Sequence, residues 1–321
     1  MNNTTPIKNY KLELSAAPHI HSKWSTKKAM WLVILSLVPV LISSIIFFGL
    51  KQLSIISVSV AFCLLTELTI KKLRKKEVTL DDGSAIITGL LLAFILPPNF
   101  SLFATAIGAI FSIGIAKELF GGLGFNIFNP ALAGRAFLQA AYPVSITTWT
   151  KPNYDVDTIT SATPLAAYKF DKISTDLSSL FWGNVSGSLG ETSALAILIG
   201  GLFLIFIGVV NYRIPLAMIL SLIFFSAIFW IIDPFKYQNP IFHLLAGGFL
   251  FGTFFMATDW VTSPITSKGM WIYGILISFL IVLIRNFGGL PEGVMYAILI
   301  MNSLVPAINR FTVPKIFGEK K

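Results

Sequence analysis

Lys117-Glu118-Leu119-Phe120-Gly121-Gly122-Leu123 returns later in the chain as Ile284-Arg285-Asn286-Phe287-Gly288-Gly289-Leu290. A lone Phe-Gly-Gly-Leu match carries little weight in a chain with 24 glycines and 28 phenylalanines. What makes it a repeat is the matched spacing to a proline upstream, Pro98 for the first copy and Pro264 for the second, each following a short apolar run. The copies differ in charge, because Glu118 corresponds to Arg285.

Working outward from these copies, the chain resolves into apolar runs long enough for a bilayer, which needs about 20 residues per helical crossing. The runs are 29–50, 53–70, 84–96, 101–120 and 125–142, then 193–210, 214–232, 241–258, 270–284 and 293–308. Hydrophobic residues make up 55% of the 321, charged ones 12%, and the mean hydropathy is +0.78. Soluble domains carry about 25% charged residues, so this composition excludes that class. The expectation is an all-α integral membrane protein of about ten transmembrane helices. Five per half is an odd number, so the two halves enter the membrane in opposite senses, giving two inverted five-helix repeats. The runs 84–96 and 241–258 are short and end at proline, which marks them as broken helices.

The net charge of +9 does not point to nucleic acid, because the basic residues sit in short loops between apolar runs. The densest of these, Lys71-Lys72-Leu73-Arg74-Lys75-Lys76, sets the orientation, since short Lys/Arg-rich loops stay in the cytoplasm. The expected layout is a cytoplasmic tail over 1–28, a first membrane repeat over 29–142, an outside loop over 143–191, a second repeat over 192–311 and a cytoplasmic tail over 312–321. Met1 to Ser22 is polar and shows no secretory signal pattern. Cys63, the one cysteine, excludes an internal disulfide and any iron–sulfur cluster ligated by this chain alone, and reads as a buried small hydrophobe. His19, His21 and His243 lack metal-ligand spacing. The glycine-rich and Gly-Lys-Ser/Thr loops of soluble nucleotide sites are absent from the sequence, so nucleotide binding belongs to partners. Gly248 and Gly252 read as a helix-packing face.

Polar residues inside the run 125–142, namely Asn126, Asn129, Arg135 and Gln139, must face protein or a cavity. The only long polar segment between blocks of spans is the loop 143–191, which contains Asp157-Thr158-Ile159-Thr160-Ser161-Ala162-Thr163-Pro164.

Three stretches together, Gly121 to Phe137 (Gly-Gly-Leu-Gly-Phe-Asn-Ile-Phe-Asn-Pro-Ala-Leu-Ala-Gly-Arg-Ala-Phe), Ala257 to Pro264 and Gly288 to Val294, resemble the family shared by the D subunit of the Rnf complex and the B subunit of the sodium-pumping NADH:quinone reductase. The resemblance covers nearly the whole membrane region, and the chain's length favours the Rnf branch. It implies a bacterial inner-membrane subunit of a redox-driven pump that couples electron transfer between ferredoxin and NAD to Na+ or H+ translocation. Its partners would be the other membrane and peripheral subunits, among them a second flavin-bearing subunit and iron–sulfur subunits.

The resemblance also implies an FMN joined through its phosphate to a threonine in a pattern close to Asp-x-x-Ser/Thr-Gly-Ala-Thr. Asp157, Thr160, Ala162 and Thr163 fit that pattern, and Ser161 replaces its glycine. Thr163 is therefore the expected attachment point. Asn126, Asn129 and Arg135 are the candidates for a second, non-covalent flavin, riboflavin in related complexes. Glu118 and Asp259, one acid per repeat, are candidates for an ion pathway. Against that reading stand structural ones: Lys117 pairs with Glu118, and Asp259 is an interfacial cap or hydrogen-bond partner. Two other functions fit the same scaffold, a secondary transporter or channel without redox chemistry and an inert membrane anchor.

Overall fold

The computed structural model describes residues 25–152 and 160–314, whose regular secondary structure is almost all helix. The first half runs α1 (Thr26–Ser36), α2 (Val38–Phe48), α3 (Gln52–Leu73), α4 (Ser84–Phe94), α5 (Leu102–Ile113) and α6 (Pro130–Ala141). Short elements follow, α7 (Pro143–Thr147), β1 (Trp149–Thr150), β2 (Thr160–Ser161), α8 (Pro164–Asp171) and α9 (Leu177–Trp182). The second half runs α10 (Ala194–Ile207), α11 (Arg213–Ile232), α12 (Pro240–Leu245), α13 (Phe249–Phe251), α14 (Ser267–Phe287) and α15 (Val294–Thr312). Among the described residues five helices are long and apolar enough to cross a membrane: Thr26–Phe48, in which α1 and α2 join at a bend before Pro39, Gln52–Leu73, Arg213–Ile232, Ser267–Phe287 and Val294–Thr312. The apolar helices Ser84–Phe94 and Ala194–Ile207 are shorter.

The first half breaks where its prolines predict, whereas the second breaks inside the run 241–258, well ahead of Pro264. α4 stops at Ile95, just ahead of Pro97-Pro98, and the second half has α12, a gap at Ala246 to Gly248, then α13 continuing into a π-helical turn over Gly252–Met256. The two broken segments meet edge to face at Phe94 and Phe251, with ring centroids 6.1 Å apart. In each half the long partner helices pack around the break, α3 against α4 and α5, and α11 against α12 and α14. Across the halves α6 packs on α15, and α2 on α10.

The repeat is written in hydrogen bonds as well as in sequence. Arg135 Nη1 donates to the Ile95 carbonyl at 2.6 Å, and Asn302 Nδ2 donates to the Thr262 carbonyl at 3.0 Å. Ile95 and Thr262 are separated along the chain by the same number of residues as Arg135 and Asn302, and as Glu118 and Arg285.

One helix is shorter than its apolar run. Hydropathy predicts a helix throughout 125–142, but α6 begins only at Pro130. Gly121, Gly122 and Gly124 adopt φ of +132°, +102° and +94°, a region that side chains resist, so the chain stays irregular there. Asn129 then accepts from Ala131 N at 3.1 Å and Leu132 N at 3.3 Å, which fixes the helix start, with Pro130 in the first turn. The described parts of the loop 143–191 hold three short helices and a strand pair.

Close packing of α4 on α3 depends on Gly89, where an added Cβ would lie 2.7 Å from the Val60 Cα. Gly89→Leu should therefore cost about 1–3 kcal/mol of stability, read as a lower thermal midpoint of the detergent-purified protein. An unchanged midpoint would mean that this contact is looser than described.

Candidate functional site

The segment around Thr163 is shaped by three local devices. The strands β1 and β2 pair antiparallel, Trp149 opposite Ser161 and Thr150 opposite Thr160, which returns the chain to the membrane part of the molecule. Asp157 and the Thr160 side chain lie outside the described residues. Ser161 and Ser186 share a hydroxyl–hydroxyl hydrogen bond. The Ser161 backbone is not in the left-handed region, so a glycine is not required there. Thr163 is extended (φ −67°, ψ 156°), as the following Pro164 dictates, and it caps α8 by accepting from Ala166 N at 3.2 Å. Ala162 is exposed and Thr163 half-buried.

α8 is anchored from below and from the side. Leu165 packs with Leu180, Phe242 and Ala246 in a small separate core. Lys169 reaches the carboxyl end of α14, donating to the carbonyls of Gly288 at 2.5 Å, Leu290 at 2.8 Å and Arg285 at 2.9 Å. An ammonium group at a helix C-terminus is favourable because the last carbonyls carry partial negative charge. Its burial pulls the Lys169 pKa below the usual lysine value.

Thr163 opens onto a cavity of about 430 Å³ that runs from α8 to the interface of the two halves. Ile95, Phe251, Met256 and Met295 supply apolar wall, and Arg135, Glu191 and Glu292 supply charge. Arg135 lies 3.3 Å from Glu191 Oε1 and 3.6 Å from Glu292 Oε2, and Glu292 Oε1 accepts the Gly248 N–H at 2.5 Å.

A second cavity, about 100 Å³, is lined by Lys117, Ser84, Asn126, Asn129, Thr258 and Asp259 among others. Asn129 Nδ2 donates to the Met256 carbonyl at 3.3 Å, and Asp259 Oδ2 accepts from Thr262 Oγ1 at 2.9 Å. The structure thus divides the polar face read in the sequence. Asn126 and Asn129 border this smaller cavity together with Asp259, whereas Arg135 belongs to the cavity at Thr163.

Lys117 does not pair with Glu118. Its ammonium group donates to Glu67 Oε2 and to Ser84 Oγ, both at 2.7 Å, and Glu67 Oε1 also receives Lys71 at 2.5 Å. Glu118 is 1% exposed, and neither of its carboxylate oxygens has a hydrogen-bond partner among the described residues. Glu67 and Glu191 fall outside the sequence motifs, and Glu292, inside the stretch Gly288 to Val294, carries no assigned role there. A lone acid inside an apolar run is a usable signal for Glu67. Glu191 and Glu292 stand in loops, where carboxylates are ordinary.

A model of the NQR2, RnfD, RnfE family matches residues 13–318. The chain is 44% identical over 314 residues to the D subunit of the Na(+)-translocating ferredoxin:NAD(+) oxidoreductase complex of Acetobacterium woodii, covering 97% of this chain and 96% of that one. It is 41% identical over 326 residues to the D subunit of the proton-translocating ferredoxin:NAD(+) oxidoreductase complex of Clostridium ljungdahlii, covering 98% of both. With the D subunit of the ion-translocating oxidoreductase complex of Pectobacterium carotovorum the identity is 35% over 347 residues, 96% of this chain and 99% of the relative.

Glu67→Ala would leave the buried Lys117 and Lys71 without their carboxylate. Breaking a buried pair in this way costs about 3–5 kcal/mol, so the variant should show a large drop in thermal midpoint. A drop no larger than that of an exposed control such as Glu77→Ala would contradict the buried triad.

Proposed function

The chain belongs to the NQR2, RnfD, RnfE family, and from that premise we propose that it is the D-type membrane subunit of an ion-translocating ferredoxin:NAD+ oxidoreductase complex, with an FMN esterified through its phosphate to Thr163. The observation that carries this reading is the position of Thr163, at the head of a helix and at the mouth of a cavity of about 430 Å³. That volume lies within the roughly 300–1,000 Å³ typical of small-molecule sites. A phosphate on Thr163 would stand at the N-terminus of α8, where backbone N–H groups and the helix dipole favour an anion. The apolar wall suits a flat ring, and Arg135 offers a cation to any negative charge the ring carries.

When bound, the flavin supplies electron transfer; the protein supplies placement and electrostatics. Lys169 and Leu165 hold α8, and Arg135, itself held by Ile95, Glu191 and Glu292, keeps one guanidinium at the cavity wall. On this reading the Lys71–Lys76 face is cytoplasmic, as are both termini, and the Thr163 loop is outside. Iron–sulfur clusters and NAD then belong to partner subunits.

A second, non-covalent flavin is favoured by one observation, the convergence of Asn126, Asn129, Lys117 and Asp259 on the smaller cavity. At about 100 Å³ that space takes part of a tricyclic ring, so binding there requires the walls to part. Asp259 in that cavity and Glu118, buried with no hydrogen-bond partner among the described residues, are the acids we assign to the ion pathway. The two ferredoxin:NAD(+) relatives differ in their ion, Na+ in one and the proton in the other. A transporter without redox chemistry is favoured by the paired broken helices alone; it predicts substrate flux in liposomes with no electron donor.

Protein from the native host, denatured and run on a gel, should show flavin fluorescence that Thr163→Val abolishes and Thr163→Ser retains, with the mass of FMN on the loop peptide. Fluorescence persisting in Thr163→Val would overturn the attachment. In the assembled complex, Asp259→Asn and Glu118→Gln should each lower the number of ions moved per electron, and a variant with unchanged coupling would remove its residue from the pathway.

A further inference from the structure

The outer surface of the first half carries an open groove of about 520 Å³ between α3 and α5. Phe62, Thr66 and Ile70 line it from α3, Ile107, Gly114 and Ile115 from α5 and the turn after it. The hydroxyls of Thr66 and Thr69 are turned back onto their own helix, donating to the carbonyls of Phe62 at 2.6 Å and Leu65 at 2.7 Å, so the wall asks for an apolar occupant. A Cβ on Gly114 would lie 3.6 Å from the Ile70 side chain and 3.7 Å from that of Thr66, which is ordinary contact. Close packing therefore does not require this glycine, and its missing side chain deepens the groove instead. Phe62, Thr66 and Ile70 lie one turn apart, so the groove runs about 12 Å along the helix axis. A leaflet of hydrocarbon is about 15 Å deep.

One turn beyond Ile70, two cations cross the gap between the same helices. Arg74 Nη1 donates to the Glu118 carbonyl at 2.5 Å and Lys76 Nζ to the Gly121 carbonyl at 3.2 Å, at and just after the π-helical turn Gly114–Glu118. The close of α3 directs them there. Lys75 takes φ +53°, the left-handed position where glycine is preferred, and the Lys76 N–H donates to the Lys71 carbonyl at 3.0 Å, which folds the loop back. Arg74 is exposed, and its Nε and Nη2 have no other hydrogen-bond partner among the described residues. Leu73, Leu119 and Phe125 stand exposed around this end, as apolar groups do at the level of lipid headgroups.

The charge here stays positive after every neighbour is counted. Lys27 holds Asp81, and Lys71 and Lys117 share Glu67, which leaves one positive charge over. Lys72, Arg74, Lys75 and Lys76 then face Glu77, Asp82 and Glu118, another positive charge over even with Glu118 ionised. Lys28 on α1 and Asp259 beyond Lys117 cancel. The carboxyl ends of α3 and of the π-helical turn are offset by the amino ends of α1 and α4 on the same side. A preference for basic loops inside explains the surplus; it does not explain an apolar groove of leaflet depth that ends beneath it.

We propose that the groove and its two cations bind one anionic phospholipid of the leaflet on the Lys71–Lys76 side, an acyl chain lying between α3 and α5 and the phosphodiester on Arg74 and Lys76. Guanidinium and ammonium groups at the edge of an apolar cleft between helices suit that headgroup. On the orientation given above this is the cytoplasmic leaflet, but the site depends neither on that orientation nor on a group at Thr163. Because Arg74 also holds the Glu118 carbonyl, the headgroup bears on the turn that carries this buried acid.

The test uses the purified complex in nanodiscs of phosphatidylcholine and phosphatidylglycerol in equal parts. Thr69→Cys, on the exposed rim of the groove, takes a photoreactive thiol label, while the natural Cys63 is fully buried. Irradiation should give adducts on this chain that favour phosphatidylglycerol, and the preference should fall about fivefold for each cation removed in Arg74→Gln and Lys76→Gln. Lys51→Gln, at the other end of α3, should leave it unchanged. Thr69→Trp, which fills the groove and touches no charge, should lose the phosphatidylglycerol that native mass spectrometry finds on the wild-type complex. Should Arg74→Gln fail to assemble, Lys76→Gln decides. Thr163→Val should lose flavin and keep the lipid preference, which separates failure of this site from failure of the flavin reading. Equal labelling of the two lipids in the wild-type background, a preference indifferent to Arg74 and Lys76, or adducts to another polypeptide in place of lipid would overturn the site.

Discussion

A helix that stops inside a membrane leaves carbonyls with no water to meet, and this structure is arranged around that constraint. Three successive carbonyls at the end of α4 are met from other segments. Phe94 receives the Gly190 N–H at 2.7 Å, Ile95 receives Arg135, and Leu96 receives the Leu189 N–H at 3.1 Å. The loop before α10 therefore belongs to the packed interior as much as the helices do, and it carries Glu191 with it. In the second half Arg285 closes α12, Asn302 holds Thr262, and Asn129 holds Met256 across the halves. Broken helices create the cavities, and the polar side chains that mend the breaks become the walls.

The same economy governs buried charge. Glu67 is shared by Lys71 and Lys117, and Lys117 is completed by Ser84. Three elements, α3, α4 and the turn after α5, are tied together at one ammonium group, which also lines the smaller cavity. Ion pairs of this kind stabilise little against a well-packed apolar alternative but punish the loss of one partner. Lys117 consequently has a fixed place at the cavity wall, facing the space that also receives Asp259. Glu118, one residue on, stands outside this network, and its carboxylate has no hydrogen-bond partner among the described residues, which sets it apart from a structural acid.

Much of the architecture is readable in the sequence because its signals are local. Pro97-Pro98 ends a helix, Cys63 is buried as a small hydrophobe, and each Phe-Gly-Gly-Leu copy lies at the end of a helix, although only the glycines of the first copy take a positive φ. What is not readable depends on distant partners. Hydropathy alone extends the fifth run back to Phe125, because an apolar count does not register the left-handed glycines at 121, 122 and 124. Lys117 is adjacent to Glu118 in sequence, yet on a helical surface neighbours lie three or four residues apart, and its partner comes from α3. Arg135 groups with Asn126 and Asn129 in sequence because they share one run. The irregular turn before Pro130 and the length of α6 send them to different cavities. Gly248, which reads as a packing residue, clears room for two acids, while Gly252 does pack, since a Cβ there would meet the Val294 side chain.

Lys169 joins α8 to the end of α14 through several carbonyls at once, while the strand pair just ahead of Thr163 hangs from the end of α6. Thr163 is thus suspended between the two halves, with its stiffer link to the second. Electron tunnelling falls off steeply with separation, so a redox group carried on Thr163 would keep its spacing from any acceptor seated on the second half. If the group proposed for Thr163 is bound there, a displacement of one half against the other would instead alter its spacing from acceptors on the first.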